Sequence, residues 1–187
     1  MAKHPIGKDQ LELLLKEQKR QTKEKQGRRQ LAHIDEGQLV APAKQKIESS
    51  GFCPEGGTVT WYEEPDVLVR EREGDEPPSR VVERPDLICE WKPEHGGAST
   101  LYVIELKKRF GKKGLGQIMT YYWAIRHGER IINGNKEYEM TGEEFVVMII
   151  GGIEYKTENF DQVVDWSQKL IQMDDSAGVT TLPLQPE

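Results

Sequence analysis

The sequence is poor in the residues from which several common kinds of site are built. Its two cysteines, Cys53 and Cys89, give no metal-ligand spacing and no disulfide framework. They read as small buried apolar side chains, and such sparse use of cysteine points to a reducing, intracellular, cytoplasmic setting. The four histidines, at 4, 33, 95 and 127, are scattered, so no His/Cys cluster argues for zinc. Long apolar runs are missing too: the longest, "FVVMII" at 145–150, is six residues, against about 20 needed to span a bilayer. The first residues, "MAKHPIGKDQ", have no apolar stretch behind their charges and so do not form a secretory signal. Aromatics make up only 7% of the chain. Trp61, Trp91, Trp123 and Trp166 read as core or half-buried side chains rather than base-stacking ones.

What is present is charge. Of 187 residues, 31% are charged and mean hydropathy is −0.70, the composition of a soluble domain with some terminal extension. The net charge of −6 conceals an asymmetry, because residues 1–30 carry nine Lys/Arg against four Asp/Glu. The rest therefore carries 17 against 28, a net of −11. Basic groups concentrate again in "KKRFGKK" at 107–113, five of seven residues. An acidic body with local basic clusters is compatible with a nucleic-acid partner.

Apolar periodicity divides the chain into a basic N-terminal helical arm over 1–30, a main domain over 31–175 and a flexible tail over 176–187. A helix is expected over about 9–26, and another from an Asp35 cap to Ser49, with Pro42 breaking or kinking it. "TVTWYEEPDVLVRERE" alternates as one bent strand or two short ones around Pro65. "RVVERPDLICEW" reads as one strand region marked by Pro85. "TLYVIELKK" is the strongest strand pattern. "LGQIMTYYWAIRHG" is a helix with Leu115, Ile118, Met119, Tyr122 and Ile125 on its apolar face, closed by Gly128. "EEFVVMIIGG" suits a central strand, and "NFDQVVDWSQKLIQM" a last helix. The order α, β, β, β, α, β, α implies a mixed α/β sandwich around one sheet. One internal echo stands out: "EEPD" at 63–66 and "ERPD" at 83–86.

Alternation puts Glu105 and Lys107 on one face of their strand with Leu101 and Val103, and puts Asp86 on one face with Ile88 and Glu90. Pairing the two strands can bring Asp86 beside Glu105. Two such carboxylates repel unless a cation lies between them. Mg²⁺ (or Mn²⁺) suits the pair. It accepts a few carboxylates, a backbone carbonyl and a substrate phosphate, and it makes bound water easier to deprotonate. Lys107 is placed to orient that water or to neutralise a phosphate. Gln117 and Tyr121, four apart, share a helical face beside the apolar stripe.

Asp86 in a Pro-Asp pair, then Glu105–Leu106–Lys107, then Gln117 and Tyr121 as Gln-x-x-x-Tyr, resembles the PD-(D/E)xK nuclease superfamily and its RecB-like branch. The resemblance spans about residues 31–155. It implies a restriction-endonuclease-like α-β-β-β-α-β core, a central mixed sheet flanked by helices. It also implies a metal-dependent deoxyribonuclease of DNA repair, recombination or phage-type processing, acting alone, as a homodimer or in a larger complex. In its terms Asp86, Glu105 and Leu106 hold the metal, Lys107 is the catalytic lysine, and Gln117 and Tyr121 support the site. The first helix adds a glutamate, Glu36 or, as second choice, Glu48. Lys108, Arg109, Lys112 and Lys113 would hold the DNA backbone. The competing Pro65–Asp66 with Glu71-x-Glu73 lacks a lysine and a following helix. The alternative functions are a non-catalytic nucleic-acid-binding module and a partner-docking protein that keep the fold.

Overall fold

Two proline-containing crossovers organise the architecture. In the computed structural model, which describes residues 35–70, 79–110, 112–155, 165, 169 and 174–184, both echoed segments are places where the chain leaves one sheet for another. Strand β1 (Gly57–Glu63) belongs to a five-stranded sheet, and β2 (Asp66–Arg70), just after Pro65, belongs to a four-stranded one. Strand β3 (Ser79–Glu83) lies in the four-stranded sheet, and after Pro85 the chain returns as β4 (Leu87–Pro93). Proline has no N–H for a ladder, so each Pro-Asp ends one pairing and frees the chain to begin another. The region around Pro65 is thus two short strands, one of the two arrangements expected, and the single strand region expected around Pro85 is also two strands, each pair divided between the two sheets.

The chain enters through a 3₁₀ turn, Glu36–Leu39, that leads into helix α1 (Val40–Ser49). Pro42 is the third residue of α1, where a backbone N–H has no partner within the helix, so its missing donor costs little. Leu39, Ala43 and Ile47, four residues apart, form the buried seam.

Strand β5 (Thr100–Phe110) follows β4, then helix α2 (Lys112–Arg126), strands β6 (Gly128–Asn133) and β7 (Lys136–Glu139), and strand β8 (Phe145–Tyr155). With strand β9 (Ala177–Pro183) at its edge, the larger sheet has the order β1-β4-β5-β8-β9, antiparallel from β1 to β5 and parallel from β5 to β9. This is a mixed α/β structure with a central mixed sheet, and β8 is central as its apolar run requires. Two expectations are corrected. The second sheet, β3-β2-β6-β7, replaces the single sheet: Asn133 pairs with Lys136 around Gly134, whose φ of 59° suits glycine in a two-residue hairpin turn. The flexible tail over 176–187 is instead strand β9 (Ala177–Pro183), which pairs with β8 from Val146↔Ala177 onward. Val179, Leu182 and Leu184 are buried there, because an apolar central strand needs a partner on each side.

The core on the α2 side joins Ile88, Leu101, Val103, Val146, Met148 and Ile150 to Ile118, Tyr121, Ala124 and Ile125. Met119 and Tyr122 pack against it half-buried. Tyr121 therefore belongs to the apolar face of α2 rather than lying beside it. The N-terminal arm (1–30) and most of the expected last helix lie outside the described residues. Asp165 and Lys169 are helical and pair across one turn at 3.5 Å. No helix among the described residues is long and apolar enough to cross a membrane.

Two glycines of the α2 region should respond oppositely to alanine. A Cβ on Gly128 would stand 2.7 Å from the Ala124 carbonyl oxygen and 2.2 Å from Met140 Cε, whereas Gly116 is exposed with nothing within 4 Å. Gly128→Ala is expected to destabilise by about 1–3 kcal/mol. Gly116→Ala is expected to stabilise by roughly 0.5–1 kcal/mol. Denaturant unfolding of both variants measures the difference, and equal signs would contradict this packing.

Candidate active site

The site arises because β5 is longer than the strand beside it. Pairing with β4 runs from Trp91↔Thr100 to Leu87↔Ile104, while pairing with β8 continues to Phe110↔Tyr155. Beyond Ile104, alternate N–H groups of β5 therefore point to an edge where β4 is absent. Two carboxylates take its place. Leu106 N–H donates to Asp86 Oδ2 at 2.6 Å, and Lys108 N–H to Glu36 Oε1 at 3.3 Å. Continuing the register sets Asp86 across from Glu105 and Pro85 across from Leu106. A strand residue's N–H and C=O point to the same edge, so the Leu106 carbonyl also faces this gap. Pro85 has no N–H to offer it.

Glu105 and Lys107 project from β5 toward α2, on the face of Leu101 and Val103. Glu105 is 1% exposed. Its Oε1 lies 2.6 Å from Lys107 Nζ, which is also 3.6 Å from Glu36 Oε2. Neither Glu105 oxygen receives a well-aligned hydrogen bond, although Asp86 and Tyr121 lie close enough to interact with it. Burial, reinforced by the Glu105 charge and opposed by the Leu106 N–H and Lys107, pushes the Asp86 carboxyl up to about 6. Burial alone would lower Lys107, but Glu105, Asp86 and Glu36 outweigh it and raise the ammonium above its ordinary value. Tyr121 is pushed well up by burial and then by Glu105, so its hydroxyl stays protonated. It donates to the Arg84 carbonyl at 3.4 Å.

The structure thus brings together Asp86, Glu105, Lys107, Tyr121 and Glu36. Of the two candidate helix glutamates, Glu36 lies beside Lys107, whereas Glu48 accepts from the Trp61 indole at 2.9 Å. Gln117 is half-buried, and its Oε1 is buried without a hydrogen-bond partner. The expected basic cluster is less unified. By strand alternation Lys108 points to the opposite face from Lys107. The side chains of Arg109, Lys112 and Lys113 lie outside the described residues.

Three residues that sequence reasoning left out of the site hold Asp86 in place. Glu64, in left-handed backbone at φ 46°, donates its N–H to the Asp86 carbonyl at 2.9 Å. Asp66, from the rejected motif, is ion-paired with Arg84, two residues before Asp86. The "EEPD"/"ERPD" echo was the available signal: the two crossovers brace each other.

Among the described residues, no group of three or more His, Cys, Asp or Glu is gathered tightly enough to hold a metal ion. The donor set is smaller: two carboxylates, Asp86 and Glu105, with the Leu106 carbonyl at the same edge. Hard oxygen donors in that number fit Mg²⁺ or Mn²⁺, which retain several waters. Burial pushes the Asp86 carboxyl up and the adjacent Glu105 charge pushes it further, a condition that a divalent cation beside the pair would relieve. Comparison of the chain with protein-family models, with curated proteins and with solved structures gives no match.

The Asp86 shift fixes a pH dependence. Its folded value lies above the ordinary carboxylate range, so between about pH 4 and 6 the folded chain holds a proton that the unfolded chain has lost. Stability from this group is present at low pH, falls as pH rises through that window, and stays lost above it. Asp86→Asn, which can still accept from Leu106 N–H, should be more stable than wild type at pH 7.5 by about 1–2 kcal/mol after allowance for solvent screening. At pH 4 the gap should nearly close. Metal-free unfolding at both pH values checks this, and a variant less stable at pH 7.5 would contradict it.

Proposed function

We propose that the protein is a divalent-metal-dependent nuclease with a restriction-endonuclease-like fold that hydrolyses DNA phosphodiester bonds. The observation that carries this reading is Leu106 N–H bound to Asp86, which sets Asp86 and Glu105 side by side at the end of β4 and β5 with Lys107 in the same cradle. The strand order antiparallel–antiparallel–parallel–parallel, with α2 packed over the β5 face that bears the acids, supports it.

Asp86, Glu105 and the Leu106 carbonyl would hold a Mg²⁺ or Mn²⁺ ion, which when bound eases deprotonation of water and offsets charge on a phosphoryl oxygen. Lys107, kept cationic by its three carboxylate neighbours, holds the attacking water or a phosphate oxygen. Glu36 adds a second, more distant carboxylate to the ammonium at 3.6 Å. Tyr121 acts as a neutral donor that fixes the Arg84–Asp86 crossover, and Gln117, one turn before it on α2, carries a buried acceptor. Lys108, Arg109, Lys112 and Lys113 supply positive charge for the DNA backbone.

A second reading has one observation in its favour. Lys107 is already paired with Glu105 at 2.6 Å, as in a nucleic-acid-binding or partner-docking module that neutralises the site without an ion. Labelled single-stranded, duplex, flapped and four-way DNAs incubated with Mg²⁺, Mn²⁺ or EDTA separate the two. The nuclease reading expects metal-dependent cleavage, reduced at least about 100-fold by Glu105→Gln and by Lys107→Met. Binding without cleavage on every substrate, unaffected by metal or either substitution, would favour the module.

A further inference from the structure

The two cysteines, 36 positions apart in sequence, meet on the sheet face opposite Asp86 and Glu105. Cys53 Sγ and Cys89 Sγ are 3.9 Å apart. Cys89 is fully buried on β4, and Cys53 is half-buried in the loop between α1 and β1. That loop is gripped on both sides of Cys53. Tyr102, directly across from Cys89 in the β4–β5 register, donates its hydroxyl to the Phe52 carbonyl and meets the Phe52 ring edge-on at 5.6 Å. Trp91, two residues along β4 from Cys89, donates its indole N–H to the Pro54 carbonyl at 3.1 Å. Both neighbours of Cys53 are thus tied to residues beside Cys89. Gly51 and Gly56, at φ 75° and 86°, bracket the tethered segment with backbone that bends freely. A disulfide needs the sulfurs at about 2.05 Å, so they must close by roughly 2 Å, within reach of side-chain rotation at Cys53.

We propose that Cys53 and Cys89 are a reversible oxidation site, a dithiol that a hydroperoxide converts into an intramolecular disulfide. The Cys53 sulfur attacks the peroxide, whose O–O bond breaks. Cys53 becomes a sulfenic acid, and its thiol proton leaves on the alcohol or water formed from the other oxygen. The Cys89 sulfur then attacks the Cys53 sulfur, and hydroxide leaves with the Cys89 proton as a second water. Two thiols lose two electrons and two protons, and the two peroxide oxygens gain the electrons. The environment divides the roles this way. The hydrogen bond from Cys89 holds the Cys53 thiol below its ordinary value, against partial burial and the Glu48 charge. Cys89 is pushed well up by its bond to Cys53 and by burial. The product bond would tie the C-terminal end of the α1 segment to β4. This site is independent of the metal-site reading.

The test is one equivalent of hydrogen peroxide on the reduced full-length chain at pH 7.5, followed by alkylation, intact mass and thermal unfolding. The expected product is a monomer about two mass units lighter with both cysteines protected from alkylation. Its Tm should rise by on the order of ten degrees, and dithiothreitol should reverse both changes. Cys53→Ser should leave Cys89 unreactive, whereas Cys89→Ala should halt Cys53 at the sulfenic acid. Oxygen addition without a disulfide in wild type, a Cys53-linked dimer, or two thiols still free to alkylate would overturn the proposal.

Discussion

The hydrogen bond from Leu106 N–H to the Asp86 carboxylate is the contact on which the candidate site depends. It exists because β4 begins at Leu87, too late to partner the second half of β5. A strand edge left open inside a fold must find acceptors, and here carboxylates supply them. Satisfying the backbone and assembling an acidic site are therefore one event. Pro85 shapes it twice, by ending the strand ladder and by offering no N–H to the Leu106 carbonyl. The four-stranded sheet contributes from behind, since Glu64 and Asp66 brace the Arg84–Asp86 crossover.

Charge balance argues against the site being a mere stabilising feature. Three carboxylates surround one ammonium, and Glu105 is almost wholly buried. Burying ions in this way opposes folding, and it is chiefly this burial that pushes Asp86 up. A fold selected for stability alone would do better with apolar side chains at these positions. The strained backbone at Glu64 follows the same logic, being retained beside the residue that it holds.

Much of this was legible in the sequence where periodicity and chemistry agreed. Strict alternation in "TLYVIELKK" put Glu105 and Lys107 on one face, and the apolar run of 145–150 announced a central strand. The Gln117/Tyr121 spacing placed both residues on the helix that covers the acids. What escaped had physical causes. The change of sheet at Pro65 and Pro85 was not legible, because local patterning does not say which sheet a strand joins. The β6–β7 hairpin is polar on its outer positions, and β9, "AGVTTLP", has a glycine near its start, a proline at its end and few large apolar side chains, so neither gave a strong strand pattern. The meeting of Cys53 with Cys89 depends on the β4–β5 register and on the loop clamps of Tyr102 and Trp91, which no spacing rule encodes.

The central claim, that Asp86 and Glu105 form a divalent-cation site, is tested most directly by calorimetric titration of the metal-free protein with Mn²⁺ at pH 7.5. Wild type is predicted to bind one ion saturably, with both Asp86→Asn and Glu105→Gln losing at least about tenfold in affinity. Absence of binding to folded wild type, or equal binding by all three proteins, would contradict the account.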